Sequence, residues 1–252
     1  MNKANNPSAS NGQPEVLIKS KQRVKSYGEV FTPSWMVEKM LDEVSTEASD
    51  IHATFLEPAA GDGNFLMAIL RRKLASVQSK YNQRMMPAKS LFALASIYGI
   101  EIQKDNLYDA HENMLKLFVD FHNDNGIDVD RKTDLYKAAR YIIKHNIVWG
   151  NTLTKRTPDG ADIIMSQWQP VPKTHNKVER KLFVFGQSDK EVLPEVLSLF
   201  DIFPEAMPES HVAYEKRAKS KAYKIVDIRH VYKEQLQKPN LQEGTGYDDC
   251  TG

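Results

Sequence analysis

The residues best suited to chemistry form one short string, Phe55-Leu56-Glu57-Pro58-Ala59-Ala60-Gly61-Asp62-Gly63-Asn64-Phe65. An apolar run ends on an acid, a turn with two glycines follows, and helical spacing begins at about Asn64. Glycines permit positive φ and let the backbone come close to a ligand. The first N–H groups of the following helix have no intrahelical partner and can face that ligand. A turn of this kind, at the carboxyl end of a strand in a doubly wound sheet, is a nucleotide-binding position. A bare Gly-x-Gly means little, and its weight here comes from the strand–turn–helix context. Glu101 closes a second apolar run, Tyr98-Gly99-Ile100-Glu101, where a carboxylate can accept two ribose hydroxyls. The plain alternative is a solvated strand end. Asn151, in Trp149-Gly150-Asn151-Thr152-Leu153, follows a third run, where its amide could read an adenine edge. A lone Asn in a turn is more often structural.

Alternating helices and strands must position these groups. Thr32-Pro33 before Val37, Met40, Leu41 and Val44 predicts an N-cap, a proline in the first turn and an amphipathic helix. Ala53–Leu56 predicts a strand, and Phe65, Leu66, Ile69, Leu70 and Val77 a long helix. Leu94–Ile100 reads as the second strand, with Gln78–Ser90 as an insertion before it. Helices are expected around Leu107–Phe121 and Asp134–His145, a third strand at Asn146–Trp149 and a fourth at Asp162–Met165. This rhythm predicts an α/β fold with a doubly wound, mostly parallel sheet. Beyond Met165 the pattern changes. Gln167–Pro172 and Val178–Phe185 suit two strands, Val192–Phe200 a helix, and Ala222–Val231 a late strand.

Taken in order, Gly28-Glu29-Val30-Phe31-Thr32-Pro33, Phe55–Phe65, Gly99-Ile100-Glu101-Ile102 and Gly150-Asn151-Thr152-Leu153 closely resemble the adenine-N6 DNA methyltransferases of restriction–modification systems. The likeness covers roughly Lys25 to Leu153, about half the chain. It implies a Rossmann-like class I methyltransferase fold with S-adenosyl-L-methionine (AdoMet) as cofactor. By the same resemblance Thr32 and the loop Glu57, Pro58, Ala59, Gly61, Asp62, Gly63 and Phe65 face the methionine part. Glu101 and Ile102 then lie at the ribose, and Asn151 approaches the adenine, where the family often has Asp. An acidic loop of this kind repels a pyrophosphate and suits an amino group and a sulfonium.

The family's catalytic string, (Asn/Asp/Ser)-Pro-Pro-(Tyr/Phe/Trp), clamps the target amine and stacks a base flipped from the duplex. At the expected place stands Met165-Ser166-Gln167-Trp168-Gln169-Pro170. Ser166 fits the first position, and Trp168 is the candidate stacking aromatic. Both prolines are missing, and the aromatic arrives one position early. The plain alternative for Trp168 is a core or hairpin residue.

The chain has 252 residues, 41% hydrophobic and 27% charged, which suits a globular domain. The apolar run near Leu91–Ile100 is about half of a membrane span. No signal-peptide pattern is read, and the lone Cys250 offers no internal disulfide, so a cytoplasmic setting is expected. The seven histidines show no ligand spacing, so no metal site is expected. The net charge of +1 conceals basic flanks, because residues 1–27 carry +4 and residues 212–240 carry +5. Basic flanks at 19–25 and 216–224, the second interleaved with Tyr214 and Tyr223, are candidate DNA contacts; solvated surface is the plain alternative. The expected organisation is a flexible basic tail (1–24), an AdoMet-binding domain (25–238) and a flexible tail (239–252). Its part from 165 to 238 is divergent and too short for a full target-recognition domain. Two functions compete: an adenine-N6 DNA methyltransferase, and a catalytically silent AdoMet-binding regulator, anti-restriction protein or subunit. A specificity or methyltransferase partner subunit belongs to the second reading.

Overall fold

The computed structural model describes residues 17–27, 29–186, 196–198 and 223–233. Within them the fold is mixed α/β with a parallel sheet. Strands β1 (Thr54–Glu57), β2 (Ile97–Glu101) and β3 (Ile147–Trp149) lie in the order β3-β2-β1, all parallel. A short strand, Val196–Ser198, pairs parallel on the other side of β1, with Leu56 opposite Ser198. Helical spacing had predicted a helix there, so this segment is a correction. An apolar run this short is ambiguous between helix and strand, and pairing to β1 decides it. The expected tail 239–252 and most of the basic segment 216–224 lie outside the described residues.

Helix α1 covers Lys21–Tyr27, α2 Ser34–Glu43 and α3 Ser45–Ser49. The expected boundary of a free tail at residue 24 therefore falls inside a helix. Pro33, rather than Thr32, is the N-cap of α2, and no side chain caps it. Helix α4 (Asn64–Lys80) opens directly after Gly63 and buries Leu66, Ile69, Leu70, Leu74 and Val77 in the core. The expected insertion is helix α5 (Met86–Ala95), with a proline in its first turn. It takes Leu94 and Ala95, so the second strand begins only at Ile97. All five residues of β2 are buried, as a central parallel strand requires. Helices α6 (Lys104–Asp124) and α7 (Asp134–Asn146) make the crossover to β3. Thr133 caps α7, its hydroxyl accepting the Tyr136 amide at 3.3 Å.

The expected fourth strand does not join the parallel sheet. Strand β4 (Ile164–Pro170) pairs antiparallel with β5 (Lys177–Val184), from Ile164 opposite Val184 to Pro170 opposite Val178. Taking Val196–Ser198 as β6, strand β7 (Val226–Asp227) completes this second sheet in the order β4-β5-β7. Residues 150–162 explain the difference. A parallel strand must be entered from the amino end, which takes a crossover of a dozen or more residues, usually helical. Here the connection stays at the carboxyl edge: Gly150 N–H donates to the Glu101 carbonyl and Thr152 Oγ1 to the Pro58 carbonyl. Ile163 packs on Gly150, and five residues later Trp168 Nε1–H donates to Asn146 Oδ1. Strand β4 thus runs from the carboxyl end of β3 back past its amino end.

Candidate functional site

The turn between β1 and α4 is built by its two glycines. Gly61 has φ +53° and Gly63 φ +90°, values that L side chains rarely adopt. A Cβ at Gly61 would meet the Phe31 ring at 3.1 Å, and one at Gly63 would meet the Ala110 backbone at 3.1 Å. Backbone bonds from Ala60 N–H to the Ile100 carbonyl and Gly63 N–H to the Ala60 carbonyl fix the turn against β2.

Two buried carboxylates flank it. Glu57 Oε1 accepts the Ala59 amide at 3.0 Å. Glu101 accepts the Gly61 amide at 2.7 Å on Oε2 and the Gln103 amide at 2.8 Å on Oε1. Burial raises the Glu57 carboxyl to about 7, the Ala59 amide opposes the rise, and the charge of Glu101 adds to it. Burial also raises Asp62 above the usual carboxylate range, against the Asn64 amide and the charge of Lys19. Asp62 Oδ1 is buried without a hydrogen-bond partner.

The other expected cofactor residues are distributed around this edge. Thr32 is exposed, and its carbonyl accepts Asn64 Nδ2 at 3.0 Å, which places it beside the start of α4. Pro58 is buried, and Ala59 faces solvent. Phe65 is half-buried behind the turn with Met40, Leu41 and Glu57. Ile102 is exposed at the end of β2, and its carbonyl accepts Trp149 Nε1 at 2.9 Å. Asn151 does not present its carbonyl to a ligand. Its Oδ1 accepts the Leu153 amide at 2.9 Å and the Thr154 amide at 3.3 Å, as an Asx turn does.

Ser166 and Trp168 are not at this edge. Ser166 is 1% exposed, with its hydroxyl accepting Arg180 Nε at 2.9 Å. Trp168 is 7% exposed, and its indole N–H is taken by Asn146. Trp168 faces the amino ends of β1 and β2, where it borders a cavity of about 210 Å³ with His52, Phe92 and Tyr98. The fold does not bring these two side chains to the glycine turn. The reversal of β4 carries them away from the glycine turn and spends their polar atoms on internal bonds. This cavity lies opposite the turn; the carboxylates and the orphaned acceptor mark the turn as the candidate site.

The N-terminal basic flank is partly neutralised. Lys19 Nζ pairs with Asp109 at 2.6 Å and Asp105 at 3.3 Å, while Arg23 pairs with Glu29 at 2.6 Å and Asp105 at 2.5 Å. Matched spacing was the available signal, since Lys19 and Arg23 are four apart, as are Asp105 and Asp109. At the other flank, Tyr223 stacks under the Arg180 guanidinium, 4.7 Å from its ring centroid. Among the described residues no group of three His, Cys, Asp or Glu side chains is placed to hold a metal, and no helix is long and apolar enough to cross a membrane. No protein-family model, curated protein or solved structure matches the chain.

Proposed function

We propose that this chain binds AdoMet at the Glu57–Gly63 turn, in a Rossmann-like fold of the class I methyltransferase kind, and is of the adenine-N6 DNA methyltransferase type. The observation that carries this reading is the pair Glu57 and Glu101, buried at the carboxyl ends of adjacent parallel strands around a positive-φ glycine turn. Such an edge is where open α/β sheets bind nucleosides. The donor set also fits the cofactor. Asp62 Oδ1 and the Glu57 carboxylate are acceptors suited to an ammonium group, and no Lys or Arg stands in the loop to call for a phosphate. Each Glu101 oxygen already holds one amide and retains a lone pair for a ribose hydroxyl. When bound, AdoMet supplies an electrophilic methyl group on its sulfonium. The chain's own part is to orient that cofactor through Glu57, Asp62 and Glu101.

A specific observation favours the second reading, AdoMet binding without complete target chemistry in Ser166 and Trp168. Both side chains are committed to the β4–β5 sheet and the core. The strand that lies beside β1 is β6, parallel to it, so its carboxyl end points to the edge that holds Glu57. Target-handling groups belong at that strand end or on a partner subunit. Calorimetry with AdoMet, followed by tritium transfer from labelled AdoMet to unmethylated DNA, tests both readings. Binding that Glu57→Ala abolishes supports the cofactor site. Transfer that survives Ser166→Ala places the chemistry elsewhere, whereas binding with no transfer to DNA identifies the silent form.

A further inference from the structure

The segment from Leu17 to Phe31, in which Gly28 lies outside the described residues, crosses the glycine turn and is held almost entirely by charge. None of the segment's described residues belongs to the apolar core. Its two ends are clasped by the Phe31 N–H, which donates to the Leu17 carbonyl at 2.8 Å. Phe31 lies on Gly61, closer than a side chain there would ordinarily allow. Lys19 and Arg23 reach Asp105 and Asp109 on α6, and Arg23 also holds Glu29 through Nε at 2.9 Å and Nη2 at 2.6 Å. Glu29 Oε2 in turn accepts Asn106 Nδ2 at 2.9 Å.

The polar inventory under this segment is one-sided. Glu29 Oε1, Asn106 Oδ1 and Asp62 Oδ1 are all buried acceptors without a partner. Asn106 is 1% exposed, and the Glu29 side chain is 9% exposed. Asn106 lies one helical turn before Ala110, which touches Gly63, and the charge of Lys19 reaches Asp62. Buried acceptors are normally satisfied, so three orphans in one neighbourhood mark a place for a donor-bearing group.

We propose that residues 17–27 and 29–31 form an ionic strap across the glycine turn, whose latch on α6 governs entry and exit of an ammonium-bearing ligand. The identity of that ligand as AdoMet rests on the function proposed above. Lys19 and Arg23 are the latch, Asp105 and Asp109 the keeper, and Phe31 the part that covers Gly61. A segment held by ion pairs rather than by buried apolar area opens as salt screens those pairs.

Hydrogen exchange on the ligand-free full chain tests the strap without the cofactor. Arg23→Gln and Lys19→Gln should each speed exchange of the Gly61–Gly63 amides roughly threefold to tenfold at low salt. High salt should do the same to the unaltered chain and do little to the double variant. Lys19→Gln leaves no buried charge unpaired, so it serves if Arg23→Gln disturbs folding. Stopped-flow release of AdoMet should accelerate by a similar factor in both variants. Exchange that is identical in all forms at either salt overturns the strap. Faster exchange with unchanged AdoMet release overturns its role at the site. A chain that never binds AdoMet overturns the proposed function, while the exchange result still decides whether the strap exists.

Discussion

Glu57 and Glu101 end neighbouring parallel strands, and each carboxylate takes an amide from the turn that joins β1 to α4: Ala59 on Glu57, Gly61 on Glu101. Two acids so placed are a cost to the ligand-free fold, and the raised Glu57 carboxyl records it. A cationic group between them relieves both burial and repulsion.

The first consequence is a pH dependence. Glu57 titrates near 7 in the folded chain, above its ordinary 4.5. Its contribution to stability is complete below 4.5 and lost as pH rises through about 7. Glu57→Gln should therefore leave stability unchanged in acid and raise it by on the order of 3 kcal/mol above pH 7. AdoMet affinity should move the other way, increasing with pH up to about 7 as the carboxylate ionises. Calorimetry across this range, and its flattening in Glu57→Gln, checks the assignment.

Glu101→Ala removes the acceptor of two backbone amides. Leaving them unsatisfied should cost about 2–4 kcal/mol, read as a fall in melting temperature of roughly 5–15 °C. Glu101→Gln keeps one carbonyl acceptor and should recover part of the loss. Either change removes the neighbouring charge that raises Glu57, so the Glu57 titration should move below 7.

Lys73 gives an opposite slope at higher pH. It is fully buried in α4 and donates to the carbonyls of Asp50 at 2.5 Å and Ala53 at 2.6 Å. Burial lowers its ammonium to about 7 from 10.5. The unfolded chain then binds the extra proton between those values, so stability should rise with pH from about 7 to 10.5. Lys73→Met should flatten that rise and cost about 1–3 kcal/mol by orphaning the carbonyls. Denaturant melts at a series of pH values measure both effects.

Trp168→Phe deletes the N–H that Asn146 accepts, and Ser166→Ala deletes the acceptor of Arg180 Nε. Each should cost about 1–3 kcal/mol of stability and leave AdoMet affinity unchanged. Loss of binding with full stability in either variant would restore them to the site.

The strand–turn–helix around Gly61 was legible because its signals are local: an apolar run ending in Glu57, two glycines, then helical spacing from Asn64. Helices α6 and α7 were legible for the same reason, through amphipathic spacing. The course of β4 was not. Its residues suit a strand in either direction, and only the bonds of Gly150 and Thr152 hold the connection at the carboxyl edge and force the reversal. Leu94 and Ala95 were misread because an unbroken apolar run satisfies a buried helix as well as a buried strand. The Asx turn that takes Asn151 Oδ1 is the structural alternative its place in a turn already offered. The pairing of Arg23 with Asp105 forms only once the fold brings α1 to α6.

Titration of the full-length chain with AdoMet by calorimetry, at a pH above 7, tests the central claim most directly. The account predicts saturable one-to-one binding that Glu57→Ala and Glu101→Ala each weaken by at least about tenfold, equivalent to ~1.4 kcal/mol. Absence of binding by the unaltered, folded chain, or binding indifferent to both substitutions, would contradict it.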